Sequence, residues 1–135
     1  MNSNKKTAEM KDIKVKLSTL WVVVMFNMIF ADILSFMMPG FLKELVEGSF
    51  EIQITQGLLL VFAILIEIAI VMIFLSRVLK HRANRWANIV ACAITIAFVI
   101  GGGSTDLHYI FFATIEVVCM LLIVWYAWKL PKQEA

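Results

Sequence analysis

Apolar residues run through this chain in four long blocks separated by short polar stretches: Leu20 to Met38, Gly57 to Leu79, Trp86 to Gly101, and Leu107 to Trp128. No block alternates strictly between apolar and polar positions, so none reads as a half-exposed strand, and lipid tolerates only helices or closed barrels. About 20 helical residues cross the roughly 30 Å hydrocarbon core of a bilayer. The third block is the shortest and leans on Ala and Ile. The pattern predicts an all-α protein, a transmembrane four-helix bundle over residues 20–130. A basic tail, 1–19, precedes it, and a short tail, 131–135, follows.

Local punctuation sets the boundaries. Pro39-Gly40 stops the first span, because proline cannot continue the hydrogen-bond ladder and glycine permits the turn. Thr55 and Asp106 stand where they can cap the second and fourth spans. Between Gly40 and Gly48, Phe41, Leu42, Leu45 and Val46 recur at helical spacing opposite Lys43, Glu44 and Glu47. Two readings fit that stretch, a short helix in the outer interface or a half-buried loop. The first block is too long for a cleavable signal peptide, carries Asp32, and lacks a small-residue cleavage site.

Composition narrows the solvent. Hydrophobic residues make up 61% and charged residues 16%, and the mean hydropathy is +0.88. A small water-soluble domain could not hide that much apolar surface. A net charge of +2 gives no grip on nucleic acid. Cys92 and Cys119 lie singly in apolar runs and say nothing of redox compartment.

The cations then orient the bundle. Lys5, Lys6, Lys11, Lys14 and Lys16 precede the first span, Arg77, Lys80, Arg82 and Arg85 surround the second connection, and Lys129 and Lys132 follow the fourth span. The other connections hold Lys43 against Glu44, Glu47, Glu51 and Asp106. By the positive-inside rule both termini and the 80–85 turn are cytoplasmic. Trp21, Trp86, Trp125, Tyr126 and Trp128 are expected as anchors at that interface. The basic turn and tail suit anionic lipid headgroups.

Three carboxylates break the apolar blocks: Asp32, Glu67 and Glu116. Each costs about 2.5–3.5 kcal/mol at a helix centre on insertion scales, so each needs an interior or wet setting. On a rise of 1.5 Å per residue, Asp32 lies about 10 Å below Pro39, Glu116 about 10 Å below Tyr109, and Glu67 about 15 Å below Gly57. A bundle that turns them inward gathers them in one outward-facing polar pocket. No lysine or arginine shares that depth. Neutralisation falls to protonation, to hydrogen bonds from Asn27, Ser35, Thr114, Tyr109 or His108, or to a bound cation. Phe112, Ala113, Glu116, Cys119 and Met120 share one helical face, as do Ala63, Ile64, Glu67, Ile70 and Val71. Such apolar walls with converging acids fit a small amphipathic or cationic ligand, and they equally fit ordinary helix packing. The candidate ligand or proton pocket is therefore Asp32, Glu67, Glu116, Asn27, Tyr109 and Phe112.

Other features carry less. Asp106 and His108, beside Gly101-Gly102-Gly103-Ser104, offer two metal ligands without a third, and a capped turn accounts for them. The glycines follow no strand and form no phosphate loop. Ala87, Ala91 and Thr95, and separately Ala93, Ala97 and Gly101, space small residues for close helix approach. Ile66-Glu67-Ile68 and Ile115-Glu116-Val117 suggest a parallel two-plus-two repeat, which chance similarity of apolar segments matches. No catalytic signature, cofactor motif or metal set is present, so no enzyme activity, cofactor or metal is expected.

Several strings together resemble a known family: Leu20-Trp21, Met25-Phe26, Ala31-Asp32, Pro39-Gly40, Thr55-Gln56-Gly57, MIFLSRVL (72–79), NRWANI (84–89), Tyr109 to Glu116, and VWYAW (124–128). It is a bacterial family of small four-helix membrane proteins designated a domain of unknown function, and the resemblance runs from about Leu17 to Pro131. In size and topology it is distantly similar to DoxX-like membrane proteins. The resemblance implies a multi-pass protein of the bacterial cytoplasmic (inner) membrane and brings no reaction with it. Where members carry a proline shortly after the position of Glu67, this chain has Ala69, so a kink there is not implied.

Two function classes follow. In the first, the acids bind or transport a proton, cation or small molecule, and four helices being few for a transport path, this reading favours a homodimer. In the second, the protein is an accessory or structural membrane component whose acids only join helices.

Overall fold

The computed structural model describes residues 2–49, 53–102 and 105–131. Glu51, Gly103, Ser104 and Lys132, which entered the sequence reading, lie outside the described residues. Five helices follow in order: α1 (Asn2–Phe36), α2 (Phe41–Glu47), α3 (Gln56–Val78), α4 (His81–Gly101) and α5 (Leu107–Lys129). Among the described residues there is no strand. Four of the helices, α1, α3, α4 and α5, are long and apolar enough to cross a membrane.

The largest departure from the sequence pattern is at the start. The basic segment before Leu20 is helical and continuous with the first span. Met10, Leu17 and Ser18 are buried there, so the extension packs on the bundle's basic end rather than hanging free. Lys16 stacks over the Tyr126 ring at 5.5 Å and pairs with Asp12 one turn earlier at 2.8 Å.

The ends follow local chemistry. Leaving α1, Met37 N–H and Met38 N–H turn back to the Leu34 and Ser35 carbonyls, and Gly40, at φ 85°, takes the left-handed conformation that a Cβ would strain. Thr55 caps α3, its Oγ1 accepting from Leu58 N–H at 3.1 Å. Asp106 sits at the N-cap of α5, where no side-chain capping bond forms; its backbone carbonyl takes the Ile110 N–H instead. The 41–47 stretch is a helix with no buried residue.

α1 packs against α3 and α5, and α4 against the same two, which leaves α1 diagonal to α4 and α3 diagonal to α5. In lipid, apolar burial does not drive helices together, so close fit and interhelical hydrogen bonds must. The seams are accordingly small or polar: Ala69, Ser76, Ala91, Cys92, Thr95 and Ala127 are all buried. Of the two small-residue rows on α4, the one through Ala91 and Thr95 faces inward, while Ala93 and Ala97 are exposed.

Candidate functional site

Buried polar groups collect at two levels of the bundle. The first lies near the basic end and centres on Trp21. This residue is fully buried, which corrects its expected role as an interfacial anchor; Trp86, Trp125 and Trp128 are the exposed ones. An indole N–H taken into the core needs an acceptor, and Trp21 Nε1 donates across the bundle axis to Asn88 Oδ1 at 2.8 Å. Ser76 Oγ donates to the same oxygen at 3.2 Å. Asn88 Nδ2 reaches the carbonyl and the side-chain oxygen of Asn84, and Asn84 Nδ2 donates to the carbonyls of Ser76 and Leu79. Beside it, Ser18 Oγ donates to the Ile73 carbonyl at 2.8 Å.

Arg85 extends this level to the surface. Its guanidinium donates to the carbonyls of Ala127, Trp128 and Leu130 at 3.3, 2.9 and 3.2 Å, and lies 4.9 Å over the Trp128 ring. It thereby fills the carbonyls left open at the α5 C-terminus, where the helix dipole also favours a cation. Sequence reasoning missed this network as a site. Its signal was the pair Asn84 and Asn88, one turn apart on an otherwise apolar helix.

The second level holds the acids. Glu116, on α5, is only 3% exposed, and its Oε1 has no hydrogen-bond partner among the described residues. It shares the inward face with Cys119 and Met120, while Phe112 and Ala113 are half-buried above it. Contacts between α4 and α5, Tyr109 Oη to the Val99 carbonyl at 2.9 Å and Cys92 Sγ to the Met120 carbonyl at 3.6 Å, fix an antiparallel register that sets Thr95 level with Glu116. Thr95 Oγ1 is buried and also lacks a partner. Contacts between α1 and α5, Ser35 Oγ with His108 Nε2 at 3.1 Å and Lys16 over Tyr126, likewise set Asn27 at that level. Asn27 Nδ2 donates to the Val23 carbonyl.

On the same register Asp32 stands about one turn above, at an exposed position. The Tyr109 hydroxyl proton is committed to Val99. Asp32 and Asn27 on α1 and Tyr109 and Glu116 on α5 therefore lie at neighbouring levels in the half of the bundle nearer α2, with Tyr109 bonded to α4. Glu67 does not join them. Its whole expected face, Ala63, Ile64, Glu67, Ile70 and Val71, is exposed, and α3 turns Ala69, Met72 and Ser76 inward instead. α3 is also diagonal to α5. Two open grooves mark the outer surface, one between α4 and α5 along Val99, Tyr109, Ala113 and Val117, the other between α3 and α4 along Met72, Trp86 and Val90. None of the three acids lines either groove.

A family model matches residues 6–135 of the chain. The chain belongs to a family of unknown function (DUF6326). The match covers α2 to α5, all of α1 but its first four residues, and both polar levels. No curated protein and no solved structure matches the chain.

Proposed function

We propose that this member of the family is a multi-pass protein of the bacterial cytoplasmic membrane, with both termini inside, that takes up a proton or small cation between Glu116 and Asp32. One observation carries the reading: a carboxyl group buried at mid-span with a partnerless oxygen, level with a second partnerless oxygen on Thr95. Glu116 and Thr95 offer oxygens, Asp32 offers a second negative charge at an exposed position, and no lysine or arginine occurs on α1 above Lys16 or on α5 before Lys129, where His108 at the α5 start is the one titratable base and contacts Ser35. A carboxylate so placed is costly until something neutralises it. Proton or cation uptake through the exposed Asp32 toward Glu116 removes that cost. The role is binding rather than chemistry, and it requires neither cofactor nor catalytic group.

The test is infrared difference spectroscopy of the protein in liposomes during exchange of pH, sodium, potassium and an alkylammonium ion. Carboxyl-stretch changes are expected in the wild type, lost in Glu116→Gln and reduced in Asp32→Asn. Identical spectra for wild type and Glu116→Gln under every exchange would leave Glu116 a helix-joining acid and end the proposal.

A further inference from the structure

Two membrane-depth acids are exposed, Asp32 toward the α2 end of α1 and Glu67 on α3, and Glu67 is the deeper of the two. It lies at the centre of α3, eleven residues from Gln56 and eleven from Val78, or about 16 Å from either end on the helical rise. A glutamate side chain is far too short to reach water from there. Its neighbours on the face, Leu60, Ala63, Ile64, Ile70, Val71 and Phe74, are exposed and apolar, and α3 is the most apolar and least covered of the four long helices. Lipid suits that face everywhere except at Glu67.

We infer that the α3 face is the interface with a second copy of this chain, closed by a Glu67–Glu67 carboxyl pair. Two copies share one orientation in a bilayer, so a two-fold axis along the membrane normal sets α3 beside α3 in parallel and in register. A closed two-fold contact needs a surface complementary to itself. A protonated carboxyl is both donor and acceptor, and two of them facing each other satisfy each other without a cation, which α3 lacks before Arg77. Ala63, one turn from Glu67, keeps the crossing point narrow enough for the pair to meet. The inference does not rest on the Asp32–Glu116 site.

The experiment uses the full chain in liposomes across a range of protein-to-lipid ratios, with dimer fraction counted by single-molecule photobleaching. Wild type and Glu67→Gln, which keeps a donor and an acceptor, are expected to dimerise. Glu67→Leu keeps a lipid-compatible face and is expected to raise the dissociation constant roughly tenfold or more, since each interhelical hydrogen bond in a membrane is worth about 3- to 20-fold; unchanged helical circular dichroism checks its fold. Ile70→Cys should cross-link between copies and Phe111→Cys, on exposed α5, should not, while Cys92 and Cys119 are buried. A wild type that stays monomeric at every ratio, as it would if lipid or a different protein covers α3, overturns the inference. So does a Glu67→Leu variant as dimeric as wild type, or cross-linking through Phe111→Cys in place of Ile70→Cys.

Discussion

Replacing Asn88 by alanine tests whether hydrogen bonds, rather than apolar contact, hold this bundle. Asn88 is fully buried and takes part in four hydrogen bonds, accepting from Trp21 Nε1 and Ser76 Oγ and donating twice to Asn84. The Ser76 hydroxyl can rotate to a carbonyl one turn back on its own helix, so its loss is discounted. The Trp21 indole cannot move without leaving the core, and a stranded buried donor costs about 1–3 kcal/mol. The two bonds to Asn84 run within α4 and are counted at no more than about 0.6 kcal/mol each, the scale of interhelical bonds in membranes. Together the loss is about 1–4 kcal/mol from these terms. Trp21→Phe removes one donor but leaves Asn88 Oδ1 served by Ser76, and should cost about 1 kcal/mol for the bond itself. Once Trp21 is Phe, Asn88→Ala should cost less than it does in the wild type, because the two share one interaction. Reversible unfolding from mixed micelles with sodium dodecyl sulfate, followed by helicity, measures all four corners of that cycle. If Asn88→Ala costs no more than Val90→Ala at a half-exposed site on the same helix, the network contributes nothing and the reasoning fails.

Three further outcomes are expected. Thr55→Ala removes the acceptor for Leu58 N–H and should destabilise the start of α3 by about 1 kcal/mol, read as faster amide exchange at 56–59. Arg85→Ala should loosen the end of α5 by about 1.5–3 kcal/mol, the range for bonds to a charged donor, seen as faster exchange at 127–130; Arg85→Lys should not restore it, because one ammonium cannot span three carbonyls. With the proposed orientation, Val46→Cys should react with an impermeant thiol reagent from outside the cell and Arg82→Cys only after permeabilisation; the reverse labelling would invert the topology and with it the access route through Asp32.

Helix positions were legible because lipid demands long apolar runs and the chain marks its ends with Pro39-Gly40, Thr55 and Asp106. The inward face of each helix was far less so. In water, apolar periodicity points to the core. In a bilayer the core and the lipid are both apolar, and periodicity loses that meaning. What remains is the placement of polar and small residues: Glu116 on α5 and the Ala91–Thr95 row on α4 were legible that way, whereas the buried Asn84 and Asn88 were missed. On α1 it misses Ser18, which falls in the 1–19 tail of the sequence pattern and is buried, and misplaces Trp21, because an indole serves equally as interface anchor or core donor, and only a partner such as Asn88 decides between them.

α3 is where the rule inverts, and the inversion is informative. Applied to Glu67 the polar-faces-inward rule turns α3 by about half a turn and draws all three acids into one pocket. The packing has instead chosen Ala69 and Ser76 for the seam, because a serine that donates to Asn88 and an alanine with no bulk let α3 approach α1 and α4 closely. Glutamate at the seam would have to displace that fit. A single helix thus carries two polar signals on different faces, one spent on assembling the bundle and one still uncovered after it is assembled. Heights along the membrane could be obtained from counting residues, and they agree between Glu67 and Glu116 to within about a helical turn. Azimuth could not, since it depends on which neighbour supplies the better contact. The same ambiguity gives the two acids different chemistry at one depth: Glu116 is enclosed by its own chain, whereas Glu67 faces away from it and needs something else to meet its hydrogen-bonding demand.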